Sequence, residues 1–561
     1  MSGPPKPRPC GGRTRVLGEL EVAVILLHMP GFHRLAATLP YKKDADDVSG
    51  HRDQDYPKAI VLLMGVMARK CRSLPRAEAF FRPPSTWAEI RRQWQLATER
   101  GTVSDADAVE LPRKPIRAGQ WRYAAALLAS DRDAFDTFEE VFLEVGVDLA
   151  EQLGYFKKGS LTRPDITSCI FTDGTELRSQ YRSFPDWRED PETGERRLAA
   201  IDPGRRGAIR CWLVKDGDGR WRGVDPVTGE ITRKLPVDPD ALASGKYGPT
   251  QAAYNIVPMS VRNGRDEAGR GRRRLREDEN SRVTLLVGMD ETENTEAATI
   301  LSCMERICAT RLAGRIQCLI TDMIIRGKHM VPLYRRCGVI SVTKVAAASD
   351  DGSSEDGEDR VPSGGGRSDN EQEKTAKKLQ IGTQSHVLPN GKECKHMLSR
   401  VDGALVEVDF NEDGSELIEV GRPALLQVKR SVSNSSEEPF RFNEQYLIEC
   451  PDGAFTFFLC PHKSHNGDDG RHVAENSRIF PERSEVFTSL YGSGRNTSEG
   501  GNAQMKDAYP HKRSQASGRL PVLLDAYLYF VVDNAKTWYF QSGWEVVDPL
   551  VHVSDVDTLA G

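Results

Sequence analysis

The chain reads as a multidomain α/β protein with a helical N-terminal region and an α/β core interrupted by a β-rich insertion. Three patterns predict this. Apolar residues recur at helical spacing between 56 and 160, short wholly apolar runs alternate with an amphipathic helix from Asp165 onward, and beyond 377 the apolar period falls to two. At 561 residues the chain exceeds one compact core, so roughly two or three domains are expected.

After an N-terminal extension (1–55), helices are expected at Ala59 to Arg69, at Arg76 to Phe81 and, beyond Pro83-Pro84, at Trp87 to Trp94. Thr86 and Glu89 have capping-box spacing at the start of the last of these. Two helices joined by a short turn, the second bearing Arg91 and Arg92, are compatible with a helix-turn-helix, so 56–160 is read as a DNA-recognition domain. The amphipathic stretch Phe135 to Leu149 is expected to dock it onto the next domain.

The core is expected over 161–346 and 483–545. Its element order is strand (Ile166 to Thr172), inserted segment, strand (Asn255 to Val261), strand (Val283 to Met289), helix (Thr295 to Ala309) and strand (Ile316 to Thr321), then a helix (His329 to Arg336) and a strand (Val339 to Val345). The first inserted segment, Asp186 to Tyr247, carries hairpin signals at Asp216 to Gly219 and Val227 to Gly229. An acidic, Ser/Gly-rich disordered linker is expected at 347–376, a β-rich insertion at 377–482 and a C-terminal tail at 546–561.

Composition narrows the functional classes. No apolar run approaches a membrane span, and Glu19 to His28 is too short and too acidic for a transmembrane helix or a secretory signal, so a cytoplasmic location is expected. Eleven cysteines without a disulfide-like framework suggest reduced thiols. The net charge of −5 hides a basic run from Arg262 to Arg276, which is either a solvated loop or a phosphate-contacting arm. No phosphate-binding glycine loop of the Gly-x-x-x-x-Gly-Lys-Ser/Thr kind and no Ser-His-Asp or Cys-His arrangement is present.

The chemistry is expected from three acids. Asp173 and Asp322 each close an apolar run, and Glu499 lies on a later helix between Arg495 and Lys506. Carboxylates at strand ends are held rigidly and can bind hard divalent cations for phosphodiester chemistry. Glu485 and Asp533 are the rival third acids.

Arg495, Glu499 and Lys506, with Phe171 to Thr175 and Leu319 to His329, give the chain its resemblance to a family. It resembles bacterial insertion-sequence DDE transposases with a Tyr-Arg-Glu-Lys signature, over roughly 160 to 540. In that signature arginine precedes glutamate by four positions and lysine follows it by seven, as here, whereas Tyr491 stands one residue farther from Arg495 than the family spacing. The resemblance implies a ribonuclease-H-like core whose first and fourth strands are adjacent, so that Asp173, Asp322 and Glu499 converge as catalytic and metal-binding residues for two Mg²⁺ or Mn²⁺ ions. It implies an endonuclease and strand-transfer activity in DNA recombination: transposition by cleavage at terminal inverted repeats and joining of 3′ ends to target DNA. The partners would be double-stranded DNA and a second copy on paired ends, in a nucleoid-associated bacterial setting. Tyr491, Arg495, Lys506, Arg326, His329 and Lys344 are the expected DNA contacts. The alternatives are a nuclease of the same fold without strand transfer, and a catalytically inactive transposase-derived DNA-binding protein.

Two Cys-x-His pairs, Cys394/His396 and Cys460/His462, flank the β-rich insertion and together offer four ligands for Zn²⁺, although one intervening residue is not a standard zinc spacing.

Overall fold

The computed structural model describes residues 17–40, 56–104, 108–157, 159–181, 183–202, 207–232, 235–244, 251–263, 282–292, 295–345, 378–388, 391–412, 417–433, 435, 437–450, 453–461 and 471–542. The expected linker, the C-terminal tail, His462 and the basic run beyond Asn263 lie outside the described residues.

The N-terminal region is helical: α1 (Glu19–His28), α2 (Pro30–Ala37), α3 (Lys58–Lys70), α4 (Leu74–Phe81), α5 (Pro84–Glu99), α6 (Ala118–Ser130) and α7 (Arg132–Gln152). Helix α3 is buried from Ala59 to Arg69, as expected of a helix apolar on every face. Part of the expected extension belongs to this layer, because α1 and α2 pack on α3, α5 and α7. Among the described residues no single helix is long and apolar enough to cross a membrane. The apolar stretch of α1 is instead buried within the protein from Val22 to His28.

The expected capping box at Thr86 and Glu89 does not form. Helix α5 starts earlier, at Pro84, with Pro83 as a cap that makes no side-chain bond. Glu89 instead accepts from Arg92 Nε at 2.9 Å and Nη2 at 2.8 Å. Arg91 donates to Leu111 O at 3.1 Å and Glu110 at 2.7 Å. Proline at the first helical position leaves no N–H there to cap, which moves the helix start two residues upstream of Thr86.

The central sheet is built from β1 (Cys169–Phe171), β2 (Thr175–Arg178), β7 (Leu242–Ser244), β8 (Gln251–Arg262), β9 (Arg282–Met289), β10 (Cys318–Ile320) and β11 (Ile340–Val342). Strands β1, β10 and β11 are parallel neighbours, and β8 runs antiparallel to both β1 and β9. Strands β1, β9, β10 and β11 are buried along their whole length, as a sheet covered on both faces requires. Helix α8 (Glu296–Cys308) lies on β8 and β9, while α9 (Gly327–Pro332) and a π-helical turn (Leu333–Cys337) lead into β11. Ile166 to Ser168, expected as strand, form a 3₁₀ turn capped by Asp165.

Two insertions decorate this core. The first is a meander of β3 (Phe184–Glu189), β4 (Arg196–Asp202), β5 (Ala208–Lys215) and β6 (Trp221–Val224). Its hairpin turn lies at the expected Asp216, whose Oδ1 accepts from the Asp218 and Arg220 amides at 3.0 and 2.8 Å. The second pairs one sheet of β12 (Lys378–Val387), β13 (Glu393–Val401), β14 (Ala404–Phe410) and β15 (Leu417–Gly421) with another of β16 (Ala424–Val432), β17 (Phe440–Ile448) and β18 (Phe455–Leu459). Leu398 and Leu405 of the first meet Tyr446, Ile448, Phe457 and Leu459 of the second in one buried cluster. Arg400 Nη2 pairs with Glu444 at 2.6 Å inside it.

After α10 (Arg471–Asn476) come α11 (Glu485–Asp507) and α12 (Arg519–Ser542). Helix α11 lies across β1, β10 and β11, while α12 packs on β9 and on α1, α3, α6 and α7.

Candidate functional site

Strands β1 and β2 are one strand with a break. Phe171 faces Ser260 of β8 and Thr175 faces Ile256, so register is kept across a gap at Thr172, Asp173 and Gly174. Backbone groups in the gap need partners outside the ladder. The Gly174 amide donates to Glu296 Oε1 of α8 at 2.9 Å, and Asp173 O accepts from Asn502 Nδ2 of α11 at 3.2 Å. The Asp-Gly pair is therefore not a turn closing the strand, and the chain continues straight into β2.

On the parallel side, Phe171 stands opposite Ile320, and the Thr172 amide donates to Ile320 O at 3.1 Å. Two residues past this pair come Asp173 and Asp322, each just beyond the end of its strand. Both carboxylates line one small cleft with Thr321, Tyr491, Arg495 and Ser498.

Helix α11 forms the other wall. Ser484 caps it, accepting from the Phe487 amide at 3.2 Å. Tyr491, Arg495, Ser498 and Asn502 fall within roughly 60° of one another at 3.6 residues per turn, which makes them one face. The Tyr491 hydroxyl donates to Asp322 Oδ1 at 3.2 Å and accepts from Arg495 Nη1 at 3.2 Å. Burial, with the nearby Asp322 charge, pushes that hydroxyl up to about 12, so it stays a donor at neutral pH. The four-residue step from Tyr491 to Arg495 is one helical turn, so the displaced tyrosine meets both Arg495 and Asp322. Asn502 Nδ2 also donates to Asp173 Oδ2 at 3.2 Å.

Glu499 lies off this face. It is half-exposed and accepts from Arg495 Nε at 2.7 Å, while Arg495 Nη1 is 3.6 Å from Asp322 Oδ1. One guanidinium thus stands between the second and third candidate acids. Hydrogen bonding to Glu499, then to Tyr491, and the Asp322 charge hold it firmly cationic.

The remaining candidates are spread more widely. Lys344 is 3.5 Å from Glu482 Oε2 and 5.9 Å from the Tyr491 ring centre. With Met323, the residue after Asp322, it borders a larger cleft of about 940 Å³ that opens toward the second insertion. Arg326 Nη1 donates to Glu475 at 3.2 Å, His329 is half-buried on α9, and neither they nor Lys506 line the acid cleft. Of the rival acids, Asp533 is buried against Arg282 Nη2 at 2.5 Å, and Glu485 opens α11 beside the larger cleft. Arg262, first of the basic run, is buried and donates to Thr497 Oγ1 at 2.8 Å and Ser493 O at 3.2 Å, which fastens α11 to β8.

Asn502 and Glu296 escaped the sequence reading. The first was legible as the 491/495/498/502 face of one helix; the second acts across 122 residues of chain, with no local signal. Of the expected zinc ligands, Cys394 Sγ lies 3.2 Å from His396 Nε2. Cys460 follows β18 at the end remote from Phe455, roughly 17 Å along the strand.

A carboxylate oxygen that accepts no hydrogen bond is the kind of ligand a hard cation takes. Asp322 Oδ1 accepts from the Met323 amide at 2.9 Å and from Tyr491, and Oδ2 takes no hydrogen bond among the described residues. Comparison of the chain with protein-family models finds no match, and comparison with curated proteins finds none either.

Proposed function

We propose that the chain is a DDE-type DNA transposase, acting on double-stranded DNA by divalent-metal phosphoryl transfer. The observation that carries the reading is that Asp173 and Asp322, each two residues past the paired ends Phe171 and Ile320 of adjacent parallel strands, line one cleft with an arginine and a tyrosine of one helix. The strand order β11-β10-β1-β8-β9, with β8 alone reversed and α8 between β9 and β10, supports a ribonuclease-H-like core.

Asp173 and Asp322 would hold Mg²⁺ or Mn²⁺, with Glu499 joining once Arg495 releases it. A metal there would activate the attacking water or 3′-hydroxyl and stabilise the leaving oxygen. The chain's own groups prepare the site. Asn502 fixes Asp173, the Tyr491 hydroxyl fixes Asp322, and Glu296 holds the Gly174 amide so that the break in the strand stays open. Arg495, the cation of the cleft, would exchange its carboxylate partners for the scissile phosphate, for which a guanidinium has matching bidentate geometry. DNA would approach along the larger cleft past Lys344.

One observation favours a second reading, a transposase-derived DNA-binding protein without catalysis: Glu499 is paired with Arg495 and does not line the acid cleft. The test is Mg²⁺- or Mn²⁺-dependent cleavage and joining of a plasmid bearing the DNA that flanks the gene. Cuts and strand-transfer products lost in both Asp173→Asn and Asp322→Asn are expected. Cuts without joined products would indicate a nuclease, binding without cuts the inactive protein, and cuts that survive Asp322→Asn would sink the site.

A further inference from the structure

The strongest unused chemistry lies in the second insertion, where His386, Cys394 and His396 bring one ligand atom each to within 4.8 Å of one another. Strand geometry explains the cluster. His386 of β12 stands directly opposite Cys394 of β13, and Cys394 and His396 are two apart on one strand, so all three project from the same face. The Cys-x-His spacing, awkward on a loop, is the natural spacing of same-face neighbours on a strand. Cys450, on the turn after β17 of the facing sheet, places its Sγ 3.2 Å from Cys394 Sγ.

The surroundings fit ligation. His396 Nδ1 is 2.5 Å from Glu407 Oε1, so that nitrogen carries the proton and Nε2 turns its lone pair toward Cys394, 3.2 Å away. Both ring nitrogens of His386 are buried without a hydrogen-bond partner, a cost that a metal bond at one of them would remove. Its ring is fixed by stacking on Phe455 of β18, with centroids 3.9 Å apart.

We propose that His386, Cys394, His396 and Cys450 form a tetrahedral zinc site that fastens the two sheets of the insertion together. Two thiolates and two imidazoles are a donor set selective for zinc, and ligand atoms around such an ion stand about 3.5 Å apart, so Cys450, which touches Cys394 but stands outside the set of three within 4.8 Å of one another, would swing toward the histidines as the ion binds. All four positions come from the chain, so the ion is structural, and the site is independent of the catalytic reading. Cys460, the sequence-level candidate, is too far along β18 to take part.

The experiment measures zinc in the full chain purified under reducing conditions, then replaces it with Co²⁺. One metal per chain is expected, with intense visible bands of tetrahedral Co²⁺ and a near-ultraviolet thiolate charge-transfer band. Cys394→Ser should abolish binding, Cys450→Ser should weaken it at least tenfold and change the charge-transfer band, and Cys460→Ala should change neither. If the serine variants fail to fold, chelation of the native chain decides: it should raise amide exchange in β12, β13 and β18 while leaving β1 and β10 protected. No stoichiometric metal, a spectrum lost in Cys460→Ala, or a Cys394–Cys450 disulfide in non-reducing peptide maps would each overturn the proposal.

Discussion

Arg495 is the residue on which the candidate site turns. Its planar fork reaches Glu499 through Nε, the Tyr491 hydroxyl through Nη1, and lies 3.6 Å from Asp322. A lysine keeps the charge but cannot span three acceptors from one rigid plane. Arg495→Lys is therefore expected to lower metal-dependent DNA cleavage at least tenfold while leaving the melting temperature nearly unchanged, because exposed pairs of this kind contribute about 0.2–1 kcal/mol. Loss of stability without loss of cleavage would show that the arginine is only a surface partner. Asp290, just beyond β9, gives a pH test. Burial pushes its carboxyl above the ordinary range, although Asn255 Nδ2 donates to it at 2.7 Å. The folded state therefore holds this proton more tightly than the unfolded chain. Its stability is highest below the unfolded pKa and falls as pH rises until the folded pKa is passed. Asp290→Asn retains an acceptor for Asn255 and has no charge to bury. Urea midpoints of variant and native chain should converge at about pH 4 and separate in the variant's favour by about pH 8; a constant gap would contradict this.

Helix α11 shows why an element carrying the site can contain so many glycines. At Gly494 a Cβ would stand 2.8 Å from Ile320 Cγ2 of β10, and at Gly501 one would stand 1.3 Å from Arg282 Nη1. That guanidinium cannot step aside, because it is buried in its pair with Asp533. Gly492 and Gly500 meet nothing within 4 Å. Alanine at 492 or 500 should thus stabilise by about 1 kcal/mol each, the ordinary helix-propensity gain. At 494 it should cost about 1–3 kcal/mol through overpacking, and at 501 about 3–5 kcal/mol by breaking a buried ion pair. Denaturant titration of the four variants checks the order, and a uniform gain would mean that α11 does not lie this close to β10. The sequence made this helix legible through its spacing of Arg495, Glu499 and Lys506, and the apolar runs made the strands legible. What stayed hidden was pairing between distant segments. The break at Asp173 looks like a turn until β8 is seen to keep register across it, and His386 is a ligand candidate only because β12 lies beside β13.

Across the whole molecule, the division into an N-terminal helical region and a core is clear in sequence but not in packing. One buried cluster runs from Leu17 to Trp538 and joins both. Helix α12 is its centre. The Tyr527 hydroxyl lies 3.0 Å from Glu139 Oε1 of α7 and 2.9 Å from Val287 O of β9, which share its one proton, and Glu139 in turn accepts from Arg306 of α8 at 2.9 Å. Asn534 of α12 exchanges two bonds with the Thr284 backbone of β9, and Arg69 of α3 pairs with Asp525 of α12 at 3.1 Å. Periodicity marks where helices are, not that a C-terminal one will fill the gap between an N-terminal layer and a sheet. The meander β3–β6 is tied in by one face only: Phe184, Ala199, Ile201 and Trp212 join the large cluster, while Ala200, Cys211 and Leu213 turn to a small separate one with Val237. Cooperative units follow shared buried surface. Amide exchange across a denaturant series should therefore show α3, α12 and β9 losing protection together, with β4 and β5 losing it at lower denaturant. If α3 opened well before β9, the helical layer would be a separate unit, not held in fixed register with the acid cleft.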